Sequence, residues 1–368
     1  MTDSSVAIDT PAVHEPGLDA AGLEQFRPGL YGYCYRMLAS PFEADDAVQE
    51  TMIRAWQHAE GFEGRSAVRT WLYRIATNVC LDMLRGRARR ATPMDLGPAI
   101  SEGGVIRDAD PAYPWVLPVP DARLGDDPAD RVVARETIRL AFVAALAHLP
   151  ARQRAVLILR EVLGWPAAEV AELLEMSVAS VNSALQRARA TVSCRRPAGA
   201  PDLDADEQQL LADYIEAFER YDMVALTRLL RDDATQTMPP YPIWLKGAAD
   251  ITGWMTGYGS ECRGSLALPI RGNGCLGLAQ YRSGGRIAWA IHLLEMQGGL
   301  IAGINTFVGT EYFELFGLPA EISRRDFPQR FPGRPMSFRP LLRRTNRRGR
   351  HATGAAAPAG IDEERDRR

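Results

Sequence analysis

With 368 residues and 46% apolar composition, the chain has the length for two or three domains and enough apolar residues to give each a core. Its net charge of −3 excludes a chain that is basic overall, so any nucleic-acid binding has to come from local patches. Five scattered cysteines (Cys34, Cys80, Cys194, Cys262, Cys275) form no C-x-x-C pair, which argues against a zinc site or a disulfide framework and fits a reducing cytoplasm. Residues 1–22 are small, polar and Pro-containing. They read as a disordered arm without the basic and apolar regions of a signal peptide. No apolar run approaches the ~18 residues of a membrane span, so a soluble, cytoplasmic chain with no membrane partner is expected. Leu23 to Leu38 reads as a first helix with Tyr31, Tyr33 and Tyr35 packing inward. Ser40-Pro41-Phe42-Glu43 is a capping-box pattern that opens a second helix. Ala44, Ala47, Val48, Thr51, Met52, Ala55 and Trp56 fall on its apolar face, with Asp45, Asp46, Gln49, Glu50 and Arg54 opposite. After a glycine-containing loop (residues 61–66), a third helix from about Thr70 buries Leu72, Ile75, Ala76, Val79 and Met83 and shows Arg74, Asn78 and Arg85. An acidic helix, a loop and a basic, aromatic helix in succession predict one surface for a protein and another for nucleic acid.

The ordered string Asp45-Asp46-Ala47-Val48-Gln49-Glu50-Thr51, Ala55-Trp56 and Thr70-Trp71-Leu72-Tyr73-Arg74-Ile75-Ala76-Thr77-Asn78, with Asp82 and Arg85, resembles domain 2 of sigma-70-type transcription factors, closest to the extracytoplasmic-function group. The resemblance implies that Asp45, Asp46, Ala47, Val48, Gln49 and Glu50 dock on the clamp helices of the largest RNA polymerase subunit. It also implies that Arg65, Ser66, Trp71, Arg74, Asn78 and Arg85 capture and melt the promoter −10 element. Taken singly, Trp56 and Trp71 are more often core residues than ligand contacts.

Seven prolines between Ala91 and Asp130 rule out a long helix and predict an extended linker, set at residues 96–130 between helical domains at 23–95 and 131–196. Inside it, Trp115-Val116-Leu117-Pro118-Val119-Pro120 is too apolar to stay exposed. It is either a segment pinned on a neighbouring domain or a docking clip that senses another domain, with Trp115, Pro118 and Pro120 as its regulatory residues.

From Arg131 to Arg195 the pattern is helical, with Pro150 and Gly164-Trp165 as breaks. Val170, Ala171, Leu174, Met176, Val181 and Leu185 fall where a helix-turn-helix needs its contacts, and Glu175 stands where the turn usually has Gly. Ser177 caps the last helix, and Val178, Ala179, Ser180, Asn182, Ser183, Gln186, Arg187 and Arg189 supply groups able to bond bases and phosphates. Leu149-Pro150-Ala151-Arg152-Gln153-Arg154-Ala155-Val156-Leu157 followed by this motif is similar to sigma domain 4. That resemblance implies a −35 reader that also docks on the polymerase β flap, with no sign of a domain 3 between.

Beyond a Pro/Gly/Ala hinge, two amphipathic helices (Glu207–Tyr221 and Met223–Leu230), a short helix (Ala248–Tyr258) and four strand-like runs predict an α+β domain over 206–320. The string Tyr214…Ala217-Phe218…Asp222…Leu226…Asp233-Ala234…Met238-Pro239-Pro240…Trp244…Gly247 resembles the SnoaL-like, or NTF2-like, cone. Tyr241, Trp244, Trp254, Tyr281, Trp289, His292 and Glu295 are candidates to line its pocket. Asp232 and Asp233 read as helix-end residues and His292 as a satisfied core histidine, so no catalytic pair, cofactor or metal is expected. Residues 321–368 form an Arg-rich tail expected to be disordered.

The expected fold is multidomain: two all-α sigma domains followed by an α+β cone. The expected function is that of a sigma factor, not an enzyme, whose partners are polymerase core and promoter DNA. Cis control by the cone is expected, with a small-molecule ligand or a separate anti-sigma protein left open. The alternatives are a cone active as a hydrolase or isomerase, and a helix-turn-helix regulator that works without polymerase.

Overall fold

A tyrosine-rich helix organises the N-terminal half of the computed structural model, which describes residues 20–59, 62, 67–101, 104, 108–110, 113–124, 137–193 and 205–323. The arm before residue 20, Arg65, Ser66, Cys194 and the tail from residue 324 lie outside the described residues. The first expected helix is two, α1 (Ala20–Glu24) and α2 (Arg27–Leu38). Pro28 sits in the first turn of α2 and has no N–H for a helix running through from α1. Tyr31, Tyr33 and Tyr35 are buried, and the Tyr33 hydroxyl meets Thr77 Oγ1 at 2.7 Å. Ala39, left-handed at φ 55°, ends α2 and lets the chain reverse into α3 (Pro41–Gln57). Ser40 Oγ accepts the Glu43 N–H at 3.3 Å, but Glu43 does not close the capping box. Its carboxylate pairs instead with Arg87 (2.7 Å) and Arg90 (2.8 Å), beyond α4 (Val68–Leu84).

The α3 stripe runs through Ala44, Ala47, Val48, Thr51 and Ala55, all buried. Trp56 breaks the expectation: it is 69% exposed, and Ile53 is 41% exposed. Trp56 lies one residue, about 100° of rotation, past Ala55 and so falls off the edge of the stripe.

The second helical group comprises α5 (Leu140–Ala147), α6 (Ala151–Leu157, continuing as a π turn to Val162), α7 (Ala167–Leu173) and α8 (Val178–Ser193). Glu175, at φ 54°, makes the left-handed turn between α7 and α8, and Ser177 Oγ accepts the Ser180 N–H at 3.1 Å.

The C-terminal half begins with α9 (Ala205–Arg220) and α10 (Met223–Leu229). It continues through β1 (Leu230–Thr237), β2 (Trp244–Lys246), α11 (Ala248–Thr256), β3 (Leu266–Gly272), β4 (Cys275–Arg282), β5 (Ile287–Gln297), β6 (Leu300–Val308) and α12 (Glu311–Leu315). The sheet order is β2-β1-β6-β5-β4-β3, antiparallel except for β1 beside β6. Asp232 and Asp233 lie on β1, not at a helix end, which corrects that expectation.

Successive side chains of a strand face opposite ways, which gives the sheet two functions. One face carries Gln280, His292 and Thr306 and meets Phe218 of α9. The other carries Tyr281, Ile291, Leu293 and Phe307, is covered in part by α12, and belongs to one apolar core with Val116, Val119 and Ile138 of the linker and helical half.

Candidate functional site

The outward stripe of α3 is the first candidate surface. Asp45, Asp46 and Gln49 are exposed, and Glu50 is half-buried beside Arg54 at 2.7 Å. Ala47 and Val48, expected to touch a partner, are buried and instead fix the helix on α2 and α4. Phe42, Ile53 and Trp56, all exposed, extend the stripe at helical spacing. Sequence reasoning placed Trp56 in the core and gave Phe42 and Ile53 no role. Their spacing with Asp46 and Gln49 was the available signal.

The second surface is the face of α4. Trp71, half-buried, packs on Phe62 with centroids 5.0 Å apart; Asn78 is exposed; Arg85 pairs with Asp82 at 3.0 Å. Arg74, however, is engaged by the helix-turn-helix: its Nη2 lies 2.9 Å from Glu172 of α7. Beside it Tyr73 meets Trp165 with centroids 5.4 Å apart, and Arg69 lies over both rings. The buried Arg154 of α6 donates to the carbonyls of Met37, Ala147 and Leu149, and His148 lies 3.1 Å from Asp95. The two helical groups are therefore packed on each other.

The third surface is α8. Ser177, Val178, Ala179, Ser180, Asn182, Ser183, Gln186, Arg187 and Arg189 are all exposed, while Val181, Ala184, Leu185 and Ala188 anchor the helix. Arg189 pairs with Glu161.

The linker joins these surfaces to the sheet. Trp115 is 3% exposed; its indole donates to Asp110 O at 3.0 Å, its carbonyl accepts from Arg90, and it bridges Ala91. Leu117 N–H donates to Ala39 O at 3.0 Å, and the Tyr35 hydroxyl donates to Leu117 O at 2.7 Å. Pro118 and Pro120 are buried. On the cone side, Trp244 donates through its indole to Gly97 O at 2.9 Å and accepts Ile100 N–H at 2.9 Å. Pro240 O accepts Asp110 N–H at 3.1 Å. At the far end, the turn Asn273-Gly274 grips Val119 and Asp121. The cone thus holds the linker on both sides of Trp115. The next turn of the linker places Arg123 on Asp45, so it also covers part of the α3 stripe.

The expected pocket residues do not converge. His292 faces α9, whereas Tyr281 lies on the opposite face, where its hydroxyl donates to Pro319 O. Glu295 shares that second face and bonds Asn305 at 3.0 Å, Trp244 faces the linker, and Trp254 packs over Gly259. His292 has both ring nitrogens occupied, by Gln280 Oε1 at 2.9 Å and Thr306 Oγ1 at 3.0 Å, and burial pushes its pKa down to about 3. It is uncharged near neutral pH. Among the described residues no group of His, Cys, Asp and Glu is placed to hold a metal, and no helix is long and apolar enough to cross a membrane.

Comparison with known proteins matches these units. The sigma-70 region 2 family model covers residues 23–90, and the sigma-70 region 4 model covers residues 139–192. The ECF RNA polymerase sigma factor SigG of Mycobacterium tuberculosis (strain H37Rv) is 43% identical over 324 residues, which span 84% of this chain and 86% of that protein. A match of that extent has to run through the sheet as well as the helices. The ECF RNA polymerase sigma factor SigW of Bacillus subtilis (strain 168) is 30% identical over 164 residues, 45% of this chain and 81% of its own. The crystal structure of Mycobacterium tuberculosis SigJ, an extracytoplasmic function sigma factor, superimposes with a TM-score of 0.55 at 23% identity. It covers 82% of this chain and 100% of that one, so the fold is shared.

Proposed function

The chain belongs to the extracytoplasmic-function group of sigma-70 RNA polymerase sigma factors, and on that premise we propose that it directs promoter-specific initiation and is held closed by its own cone. In this reading Asp45, Asp46 and Gln49, with Ile53 and Trp56, meet polymerase core. Trp71, Arg74, Asn78 and Arg85, with Arg65 and Ser66 of the loop, open the −10 element, and α8 reads the −35 element through its exposed face. Trp115, Pro118 and Pro120 form the part of the linker that control acts on.

One observation carries the closed reading: α4 and the helix-turn-helix are in contact, with Arg74 and Glu172 2.9 Å apart. Promoter elements whose centres are about 25 base pairs apart lie on the order of 85 Å apart along B-form DNA. The two readers cannot occupy both elements while they touch. The exposed Arg74–Glu172 pair contributes only about 0–1 kcal/mol, so closure draws on the buried contacts, Arg154 on Met37 O and Tyr73 against Trp165, together with the buried linker and its grip by the cone.

The cone is read as a regulatory, non-enzymatic module that acts in the cytoplasm with the rest of the chain. Its one buried histidine is uncharged and spent on two hydrogen bonds, and Asp232 and Asp233 are exposed on β1, so these three residues form no acid–base pair facing α9.

Run-off transcription with purified core polymerase on a promoter library tests the function. Initiation from a shared promoter pattern only in the presence of core is the expected result. Specific DNA binding without core, and no initiation with it, contradicts it. In the same assay Arg187→Ala should weaken −35-dependent initiation, by about 1–3 kcal/mol if the side chain reads a base.

A further inference from the structure

We propose that Asn273 is the positioning residue of the closed state, a hairpin-tip side chain that locks the linker and both helical groups to the cone at one point. The inference rests on the closed reading above and names the contact that enforces it. Gly272 and Cys275 are paired across β3 and β4, and Asn273-Gly274 form the two-residue turn, at φ 51° and 67°. Both values are positive, as the tightest hairpin turn requires, and Asn-Gly adopts them readily. That turn needs only the backbone of Asn273, and hairpin tips are ordinarily solvated. Here the residue is 0% exposed and its side chain is fully used.

The amide Nδ2 donates to Tyr35 Oη at 2.7 Å and to Ile138 O at 2.8 Å. Oδ1 accepts the Val119 N–H at 2.8 Å, and the Asn273 N–H donates to Val119 O at 2.9 Å. Gly274 N–H adds a bond to Asp121 Oδ1 at 2.8 Å, and Tyr35 passes its own proton on to Leu117 O. Both amide hydrogens and the amide oxygen are thus satisfied by three separate segments: α2, the linker and the stretch leading into α5. The approach is close. A Cβ on Gly272 would stand 2.9 Å from both Val119 O and the Phe316 ring. Because these bonds are buried and share one side chain, losing that side chain strands Ile138 O and Val119 N–H together and takes from the Tyr35 hydroxyl the donor it accepts from.

The test uses Asn273→Asp in the full-length chain. Aspartate keeps the size, the tolerance of positive φ and the acceptor for Val119, but sets a carboxylate oxygen against Ile138 O in place of a donor. Hydrogen exchange should be roughly tenfold faster at Leu117 and Val119, as loss of about one buried hydrogen bond predicts, with β5 and α3 amides unchanged. Run-off transcription with core polymerase should rise several-fold. Tyr35→Phe, which keeps the ring but removes the shared hydroxyl, should move both readouts the same way and not add to Asn273→Asp. Unchanged protection of the linker, or loss of protection spread equally through β5, would overturn the role assigned to Asn273. A loosened linker with unchanged transcription would leave that role standing and overturn the closed-state reading on which its regulatory meaning depends.

Discussion

The double substitution Asp46→Arg with Gln49→Ala is expected to remove binding to polymerase core while leaving the fold intact. Both side chains are exposed on α3, away from the buried residues that hold the helix to its neighbours. The helix is pinned from the other side by Ala44, Ala47, Val48, Thr51 and Ala55. If the exposed acidic stripe of α3 is the docking face, as proposed, a new cation there meets the complementary basic surface of the partner with repulsion. Like-charge contact at an interface costs several kcal/mol, so affinity should fall by roughly a hundredfold or more. Co-purification with core, together with the thermal melting curve, checks both halves of the expectation. Retained co-purification by a folded variant would count against the docking face.

Trp115→Ala should have the second large effect. The indole is buried, its N–H bonds Asp110 O, and the flanking backbone is tied to Ala91. Truncating a buried tryptophan costs about 3–5 kcal/mol. That cost falls on the closed arrangement, because it is the packed linker that buries the ring. A shift of this size moves a closed-to-open equilibrium by more than a hundredfold, on the order of 1.4 kcal/mol for each factor of ten. Run-off output should therefore rise about as much as it does on deletion of residues 206–368, and the two changes should not add. Fully additive effects, or an unaltered output from Trp115→Ala, would separate the tryptophan from control.

What the sequence made legible were features set by neighbours along the chain. Ser40 as a cap, the left-handed Glu175 in the helix-turn-helix and strands β3 to β6 all follow from local spacing and residue type. Strand β1 was hidden because Arg231, Asp232 and Asp233 read as a helix end; Asp232 and Asp233 are exposed in a strand next to the sheet edge, where such charges cost little. Trp56 was misplaced because its hydrophobicity outweighed its angle on the helix. The supposed pocket failed in part for a reason of period: Glu295 is an odd-numbered neighbour of the even-numbered His292, so the strand turns it the other way, whereas at Trp289 a register shift breaks the alternation and the ring packs under Arg282. The exposure cost of Trp115 beside Val116 and Leu117 did predict that the linker is pinned. Which residue pins it could not be read locally, since Asn273 lies more than a hundred residues from both Tyr35 and Ile138.

In the proposed closed state the two DNA-reading groups are held together in the free protein, and they must part to initiate transcription. Pulsed electron paramagnetic resonance between spin labels on cysteines introduced at the exposed Gln57 and Glu169 measures this directly. Free protein should give one short distance, and Asn273→Asp a broadened distribution. The complex with core polymerase and promoter DNA should give a distance longer by tens of ångströms, in keeping with elements on the order of 85 Å apart. A transcribing complex in which the short distance persists unchanged would contradict the closed state.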